Sequence, residues 1–226
     1  MKRLLAWATL CSLMIVMTGF AADTPADKKK EREALTQLND FIGSYKGAGP
    51  TWEEKINWGW KIKGEDRWIV LEFEKGKHFK SAEVHYLVDK KKYQFTMKTA
   101  DDKTHVYEGS RKEDVLTLDY TDPETKQVTQ RLVMSTIDDG VRFVYRLDKK
   151  KGTIYVKDYQ VAGTREGESF AGGGGKKPVC CVTGGLGTMA VSFKGKTYYV
   201  CCTGCREAFN DNPEKIIKEF EAQKKK

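Results

Sequence analysis

The chain has 226 residues, a formal net charge of +8 and six cysteines. This length allows one sizeable hydrophobic core and a smaller second unit. The positive charge is concentrated at the two ends, with +2 in residues 1–22 and +5 in residues 171–226. We therefore interpret the lysines as a solvated surface and expect no nucleic-acid partner.

The N-terminus has the pattern of a secretory signal peptide. A Lys-Arg pair at positions 2–3 precedes an apolar stretch from residue 4 to residue 17, and Ala21 supplies a small residue at the cleavage site. We predict a signal peptide at 1–21, and hence a mature protein in the periplasm or outside the cell. No later stretch has the roughly 20 apolar residues that a spanning helix needs, so we expect no membrane span.

Residues 22–34 are polar and rich in Lys and Glu. They predict a leader that runs into a short helix reaching Asn39, with Leu35 and Leu38 on its apolar side.

A long series of alternating apolar and polar residues follows. In residues 56–62, Ile and Trp alternate with polar residues and glycine, which is typical of an antiparallel strand with one face in the core. The same alternation recurs in the sets Ile69/Leu71/Phe73, Val84/Tyr86/Val88, Tyr93/Phe95/Met97, Leu116/Leu118/Tyr120, Leu132/Met134, Val141/Phe143/Tyr145/Leu147 and Tyr155/Lys157/Tyr159/Val161. Turn-forming sequences separate the sets, so the pattern predicts an up-and-down meander of about ten short strands.

Such a meander avoids exposed edges most readily by closing into a barrel. Residues 35–167 are similar to the calycin group of lipocalin-like barrels, and more narrowly to secreted bacterial proteins with two short motifs. These motifs are Leu-x-x-Phe-x-Gly-x-Tyr/Trp-x-Gly, found here at 38–47, and Thr-Arg-Glu-Gly, found here at 164–167. The resemblance implies a mainly β fold with an antiparallel lipocalin-like barrel at 35–167.

Four tryptophans raise the question of a ligand in the barrel. Aromatic side chains at a barrel mouth can hold an apolar small molecule, but filling of the core is the favoured interpretation. The residues concerned are Trp52, Trp58, Trp60 and Trp68.

Residues 168–177 are rich in glycine and predict a flexible linker, because consecutive glycines have no preferred backbone conformation. A small α+β, cysteine-rich module follows at 178–226. Residues 191–200 predict a β-hairpin with its turn at Lys194-Gly195. An Asn at 212 before Pro213 predicts the start of a closing helix that lies on the hairpin.

Five of the six cysteines fall within this module, at positions 180, 181, 201, 202 and 205. Thiolates are soft donors that favour Zn, Cu(I) and similar ions, and short spacings let two of them share one ion across a turn. Because the hairpin returns the chain on itself, Cys180 and Cys181 are expected near Cys201. The cluster therefore predicts a metal site.

The cysteines stand in a recognisable context. Cys-x-Val-Thr-Gly at 180–184 and Gly-Lys-Thr-Tyr-Tyr-Val-Cys-Cys-x-x-Cys at 195–205, followed by Phe209 and Pro213, resemble the YHS/TRASH family of small, metal-associated, treble-clef-like modules. The resemblance covers about the last fifty residues. It implies Cys180, Cys201 and Cys205 as ligands of a soft metal ion, Zn or Cu.

The remaining ligands are open at this stage. The spacing of Cys202 and Cys205 also fits the Cys-x-x-Cys turn of a zinc knuckle. Adjacent residues of an extended strand point to opposite sides, so Cys201 and Cys202 are not expected on one ion unless the strand breaks there. Residues 178–226 contain no His, and Cys181 or Cys202 is the candidate fourth ligand.

A competing interpretation is a disulfide. An exported protein meets oxidising conditions, and a module with so little core needs a staple of some kind. The alternative function is then a secreted small-ligand-binding barrel whose C-terminal module is stapled by a disulfide. Thiol redox chemistry ranks below both, because Cys202-Thr-Gly-Cys205 lacks a βαβ context.

Other candidate chemistry is weak. His78, His85 and His105 are spaced without ligand periodicity, and paired carboxylates such as Glu53-Glu54 are interpreted as turn or strand-end residues. No catalytic or cofactor-binding constellation emerges, so we predict a metal-binding protein that is not an enzyme.

Overall fold

The computed structural model describes residues 24–48, 53–137, 140–167 and 178–224. The signal peptide predicted at 1–21, Trp52 and the linker predicted at 168–177 lie outside these residues. Within them the protein is mainly β, as predicted, with a closed antiparallel barrel of ten strands, a two-stranded hairpin and three helices.

The helices and strands follow one another in a simple order. They are α1 (Pro25–Thr36), β1 (Gly43–Ala48), β2 (Glu53–Lys63), β3 (Asp66–Glu74), β4 (Phe79–Leu87), β5 (Lys92–Thr99), β6 (Thr104–Lys112), β7 (Val115–Thr121), β8 (Val128–Ile137), β9 (Arg142–Lys151), β10 (Ile154–Arg165), β11 (Met189–Phe193), β12 (Lys196–Val200), α2 (Thr203–Asp211) and α3 (Pro213–Lys224).

The leader predicted at 22–34 was expected to run into a short helix reaching Asn39, and the observed helix lies earlier in the chain. It begins at Pro25, because the Thr24 hydroxyl accepts the backbone N–H of Asp27 and proline suits the first helical turn. It ends at Thr36, and successive turns then carry the chain to β1.

The barrel closes where its first and last strands meet. Each of β1 to β10 pairs with its sequence neighbour, and β1 also pairs with β10 through Tyr45 and Arg165. Arg165 is buried, and its guanidinium donates to the backbone oxygens of Asp40 and Gly140 and to the Tyr45 hydroxyl. The opening motif at 38–47 and the closing motif at 164–167 therefore meet where the barrel closes and are hydrogen-bonded to each other there.

Aromatic side chains fill the inside of the barrel. In β2 every second side chain, from Glu54 to Trp60, is buried. The Trp58 ring stacks on Phe41 at 5.1 Å and meets Phe143 edge-on at 5.7 Å. Trp58 is thus a core residue, in agreement with the favoured interpretation of the tryptophans. Trp68 instead lies on the outer face of β3, stacked on His85, so the core interpretation is wrong for this residue.

One buried carboxylate was not expected from the sequence. Glu54 is 1% exposed and accepts hydrogen bonds from the hydroxyls of Tyr145 at 2.7 Å and Tyr159 at 3.1 Å. Burial raises the pKa of its carboxyl, while the two tyrosines act in the opposite direction. Glu54 therefore lies at the start of β2, in agreement with its interpretation as a strand-end residue, but its side chain points into the core.

The hairpin of the cysteine module is confirmed. Strands β11 and β12 pair from Met189–Val200 to Phe193–Lys196, and the turn residues Lys194 and Gly195 both have positive φ, as the mirror-image hairpin turn requires. The closing helix α3 begins at Pro213 as predicted, with the Asn212 side chain accepting the N–H of Lys215. Helix α2 was not predicted, and it changes the geometry of the last cysteine.

Candidate metal centre

The first cysteine pair lies on a tight loop ahead of β11. The Cys180 N–H donates to the Gly185 carbonyl at 2.7 Å, and the Gly184 N–H donates to the Cys180 carbonyl at 2.9 Å. Gly184 has a φ of +77°, a conformation that glycine adopts without strain. The loop thus folds over Cys180, whose side chain is fully buried.

The second group of cysteines lies where strand geometry gives way to a helix. Strand β12 ends at Val200, Cys201 and Cys202 form a bend, and α2 begins with Cys202 as its N-cap residue. Cys205 lies in the first turn of that helix. The Cys181 N–H donates to the Tyr199 carbonyl at 2.9 Å, which holds the first loop against β12.

Folding brings three sulfur atoms together inside the module. The Sγ atoms of Cys180, Cys201 and Cys205 all lie within 4.8 Å of one another, and all three side chains are buried. The Cys201 and Cys205 sulfurs are 3.5 Å apart. Zn–S bonds of about 2.3 Å in a tetrahedron place sulfurs about 3.8 Å apart, so this spacing matches a thiolate metal site.

Cys202 lies next to the cluster but is not one of the three residues whose sulfurs all lie within 4.8 Å of one another. Its Sγ lies 3.9 Å from that of Cys201 and accepts the backbone N–H of Trp60 in β2 at 3.2 Å. Adjacent cysteines would diverge in a continuous strand, but the strand ends at Val200, so both sulfurs turn to the same side. Sequence analysis left the fourth ligand open, and this geometry favours Cys202.

Cys181 stands apart from these sulfur contacts. It is buried, and burial raises the pKa of its thiol to about 11, with the neighbouring Cys180 as a second cause. Its sulfur is not in the group of Cys180, Cys201 and Cys205, whose sulfurs all lie within 4.8 Å of one another. Among the candidate ligands, Cys181 therefore has the character of a packed, neutral side chain.

The pKa values of the four cysteine thiols differ, because thiol hydrogen bonds join them. Thiol hydrogen bonds from Cys201 and Cys205 lower the pKa of Cys180 to about 2, and those from the same two residues lower the pKa of Cys202 to about 3. The pKa values of Cys201 and Cys205 are raised, chiefly because their protons are held in these bonds. A divalent cation would take the place of those protons at the centre of the cluster.

Thr183 is a residue that sequence reasoning did not assign to the site. Its hydroxyl donates to Cys180 Sγ at 3.4 Å and lies 3.5 Å from Cys201 Sγ. Hydrogen bonds of this kind orient the ligands of metal sites. The signal was present in the Cys-x-Val-Thr-Gly motif, where the threonine follows the first ligand by three positions.

A groove lies beside the cluster. It has a volume of about 500 Å³ and runs between the outer face of β2 and the module. Cys201 and Cys202 form part of its wall, together with Thr188 and Met189. Cys180 and Cys205 lie behind them with no exposed surface.

The histidines lie elsewhere. His85 contacts Glu31 of α1 at 3.1 Å, His105 stacks on Tyr120 at 4.2 Å, and the His78 imidazole lies 3.9 Å from the Asp158 carboxylate. Burial lowers the pKa values of His78 and His105. Each belongs to the barrel wall rather than to the cysteine cluster.

Within the part of the chain that the structure describes, none of the helices combines the length and apolar character needed to cross a membrane. Comparison with known proteins gives no match to a protein-family model and no significant match to a curated protein. The candidate site therefore rests on the buried cluster of Cys180, Cys201 and Cys205.

Proposed function

We propose that this chain is an exported metal-binding protein that binds or senses a soft ion, Zn(II) or Cu(I), and has no catalytic role. The observation that carries the proposal is the burial of three sulfurs within 4.8 Å of one another. The sequence at 1–21 supports export to the periplasm or beyond.

The donor set accounts for the class of ion. Sulfur ligands select Zn(II), Cu(I) and similar soft ions over Mg(II) and Ca(II), which prefer oxygen. In the proposed centre Cys180, Cys201 and Cys205 are ligands, and Cys202 completes a four-sulfur set. Four thiolates leave no open position for water, and such closed sites bind metal structurally or store it.

The resemblance to YHS/TRASH modules agrees with this proposal through the same three residues, Cys180, Cys201 and Cys205. The treble-clef-like character is supported by a hairpin followed by a helix that carries the last cysteine, since β12 leads directly into α2. The Gly-Lys-Thr-Tyr-Tyr-Val segment of the motif forms the turn and second strand of that hairpin.

A disulfide is the alternative, and one distance favours it. The Cys201 and Cys205 sulfurs lie 3.5 Å apart, so a modest movement of the side chains would bring them to disulfide bonding distance. Under this alternative the barrel would bind a small apolar ligand. The aromatic packing around Trp58 argues against such a ligand, because the rings occupy the space that a guest would need.

Native mass spectrometry of the mature chain, purified from its own compartment with and without reductant, separates the two functions. We expect a mass that includes one metal ion and no disulfide, with the thiol protons of the ligands displaced by the ion. A mass lacking two hydrogens, restored by reductant and without metal, would overturn the proposal in favour of the disulfide.

A further inference from the structure

The barrel reaches into the cysteine cluster at one edge of β2. Strand β1 pairs with β2 only as far as Gly43–Trp58, whereas β2 continues to Lys63. Beyond Trp58 the edge of β2 that faces away from β3 has no partner from β1. The start of α2 lies on this edge, where the Trp60 N–H donates to Cys202 Sγ.

The contact at this edge is close enough to require a glycine. A Cβ atom on Gly204 would lie 1.8 Å from the Trp60 carbonyl oxygen, so no larger residue fits without a shift of the helix. Gly59 faces the same interface, but a Cβ there would meet Cys202 at an ordinary 3.9 Å. Two backbone atoms of Trp60 thus contact the start of α2: its N–H meets Cys202, and its carbonyl oxygen lies against Gly204.

Asn39 fixes the other cysteine loop to the same tryptophan. Its side-chain amide donates to the Thr183 carbonyl at 2.7 Å, and its carbonyl oxygen accepts the Trp60 indole N–H at 3.1 Å. Thr183 belongs to the loop that positions Cys180. Both halves of the cluster are therefore held by barrel residues around Trp60.

We propose that the barrel is part of the metal centre: the Trp60 backbone N–H donates to the metal-bound sulfur of Cys202, so that metal binding and docking of the module on β2 stabilise each other. This inference rests on the proposed function. The ion would fix the Cys202 sulfur in the position in which it accepts the Trp60 N–H, so loading stabilises this contact. By reciprocity, the docked barrel raises the affinity for metal.

A matched pair of glycine variants tests the coupling in the full mature chain. Gly204→Ala should weaken Zn(II) affinity by about tenfold or more, as loss of a supporting hydrogen bond around a metal ligand does. Alanine is the better helix former, so helix propensity cannot explain a loss. Gly59→Ala should bind within about threefold of the parent. Equal affinities for the two variants would overturn the inference.

A spectroscopic signature distinguishes this inference from the proposed function. In ¹⁵N-labelled mature chain loaded with ¹¹³Cd(II), we expect scalar coupling from the metal to the Cys202 β-protons and, across the hydrogen bond, to the Trp60 amide proton. The Trp60 coupling should disappear in Gly204→Ala and persist in Gly59→Ala.

The possible failures are distinct. Coupling to cysteine protons without coupling to the Trp60 amide would overturn the inference and leave the metal site standing. A chain that takes up no ¹¹³Cd(II) under reducing conditions would overturn both.

Discussion

The barrel buries mostly apolar side chains, which alternate with less buried ones most regularly in β2, whereas the cysteine module buries five cysteines among far fewer apolar residues. The barrel core is built from rings such as Trp58, Phe95 and Phe143, which need no further component. The module instead buries thiols, which a shared metal ion would stabilise. Under the proposed function the two regions differ in what stabilises them: burial of apolar surface in the barrel and metal ligation in the module.

The largest expected effect is loss of the metal site. Cys205→Ser should abolish Zn(II) binding, because Cys205 belongs to both the triad and the Cys-x-x-Cys turn. Competition with a chromophoric chelator under reducing conditions measures the affinity. Cys181→Ser is the matched control and should bind like the parent, because Cys181 lies outside the sulfur contacts. Parent-like binding by Cys205→Ser would refute the site.

The next effect concerns the module as a whole. Removal of metal by a chelator should speed amide hydrogen exchange across residues 178–222 and leave the barrel strands protected, because ligation is coupled to folding of the module. The measurement is exchange monitored by mass spectrometry on the full mature chain. Equal loss of protection in the barrel and the module would mean that both regions depend on metal.

A substitution in the barrel core should destabilise the barrel and leave metal binding nearly unchanged. Phe143→Leu removes ring contacts with Phe41, Tyr45 and Trp58 and should lower the free energy of unfolding of the barrel by about 1–3 kcal/mol. Zn(II) affinity of the folded protein should stay within about threefold of the parent. Val106→Ala, at a 39% exposed position, is the control and should change stability by less than about 0.5 kcal/mol.

The smallest expected effect is pH-dependent and belongs to Glu54. Burial raises the pKa of its carboxyl in the folded state. Its contribution to stability is therefore full below the unfolded pKa and is lost as pH rises through the folded pKa. Glu54→Gln removes this dependence, so the melting temperature of the variant relative to the parent should increase from pH 4 to pH 7. A difference that is constant with pH would show that Glu54 is not responsible.

The segments of this fold with a repeating pattern of apolar residues were predicted from the sequence. The alternation from Ile56 to Ile62 identified β2, because a strand buried on one face repeats every two residues. Strand β6 was not identified, since its Glu, Ser and Arg residues interrupt the alternation. Helix α2 was missed because a Cys-Thr-Gly-Cys start has little helix propensity and is stabilised by its contact with β2.

The candidate site was predictable in composition but not in detail. The motif identified Cys180, Cys201 and Cys205, whereas the choice between Cys181 and Cys202 depended on where β12 ends. The role of Trp60 could not be found from sequence, because it donates through its backbone over a separation of 142 residues. Long-range backbone contacts leave no side-chain pattern to recognise.

The most direct test of the account is the coordination of the bound ion. Zn K-edge X-ray absorption on the reduced mature chain, loaded with one equivalent of Zn(II), should show a single shell of four sulfurs at about 2.3 Å. Cys202→Ser should replace one of these sulfurs with a lighter scatterer. A shell dominated by nitrogen or oxygen at about 2.0–2.1 Å in the parent, or failure to retain the ion, would contradict the central claim that these buried cysteines form a metal centre.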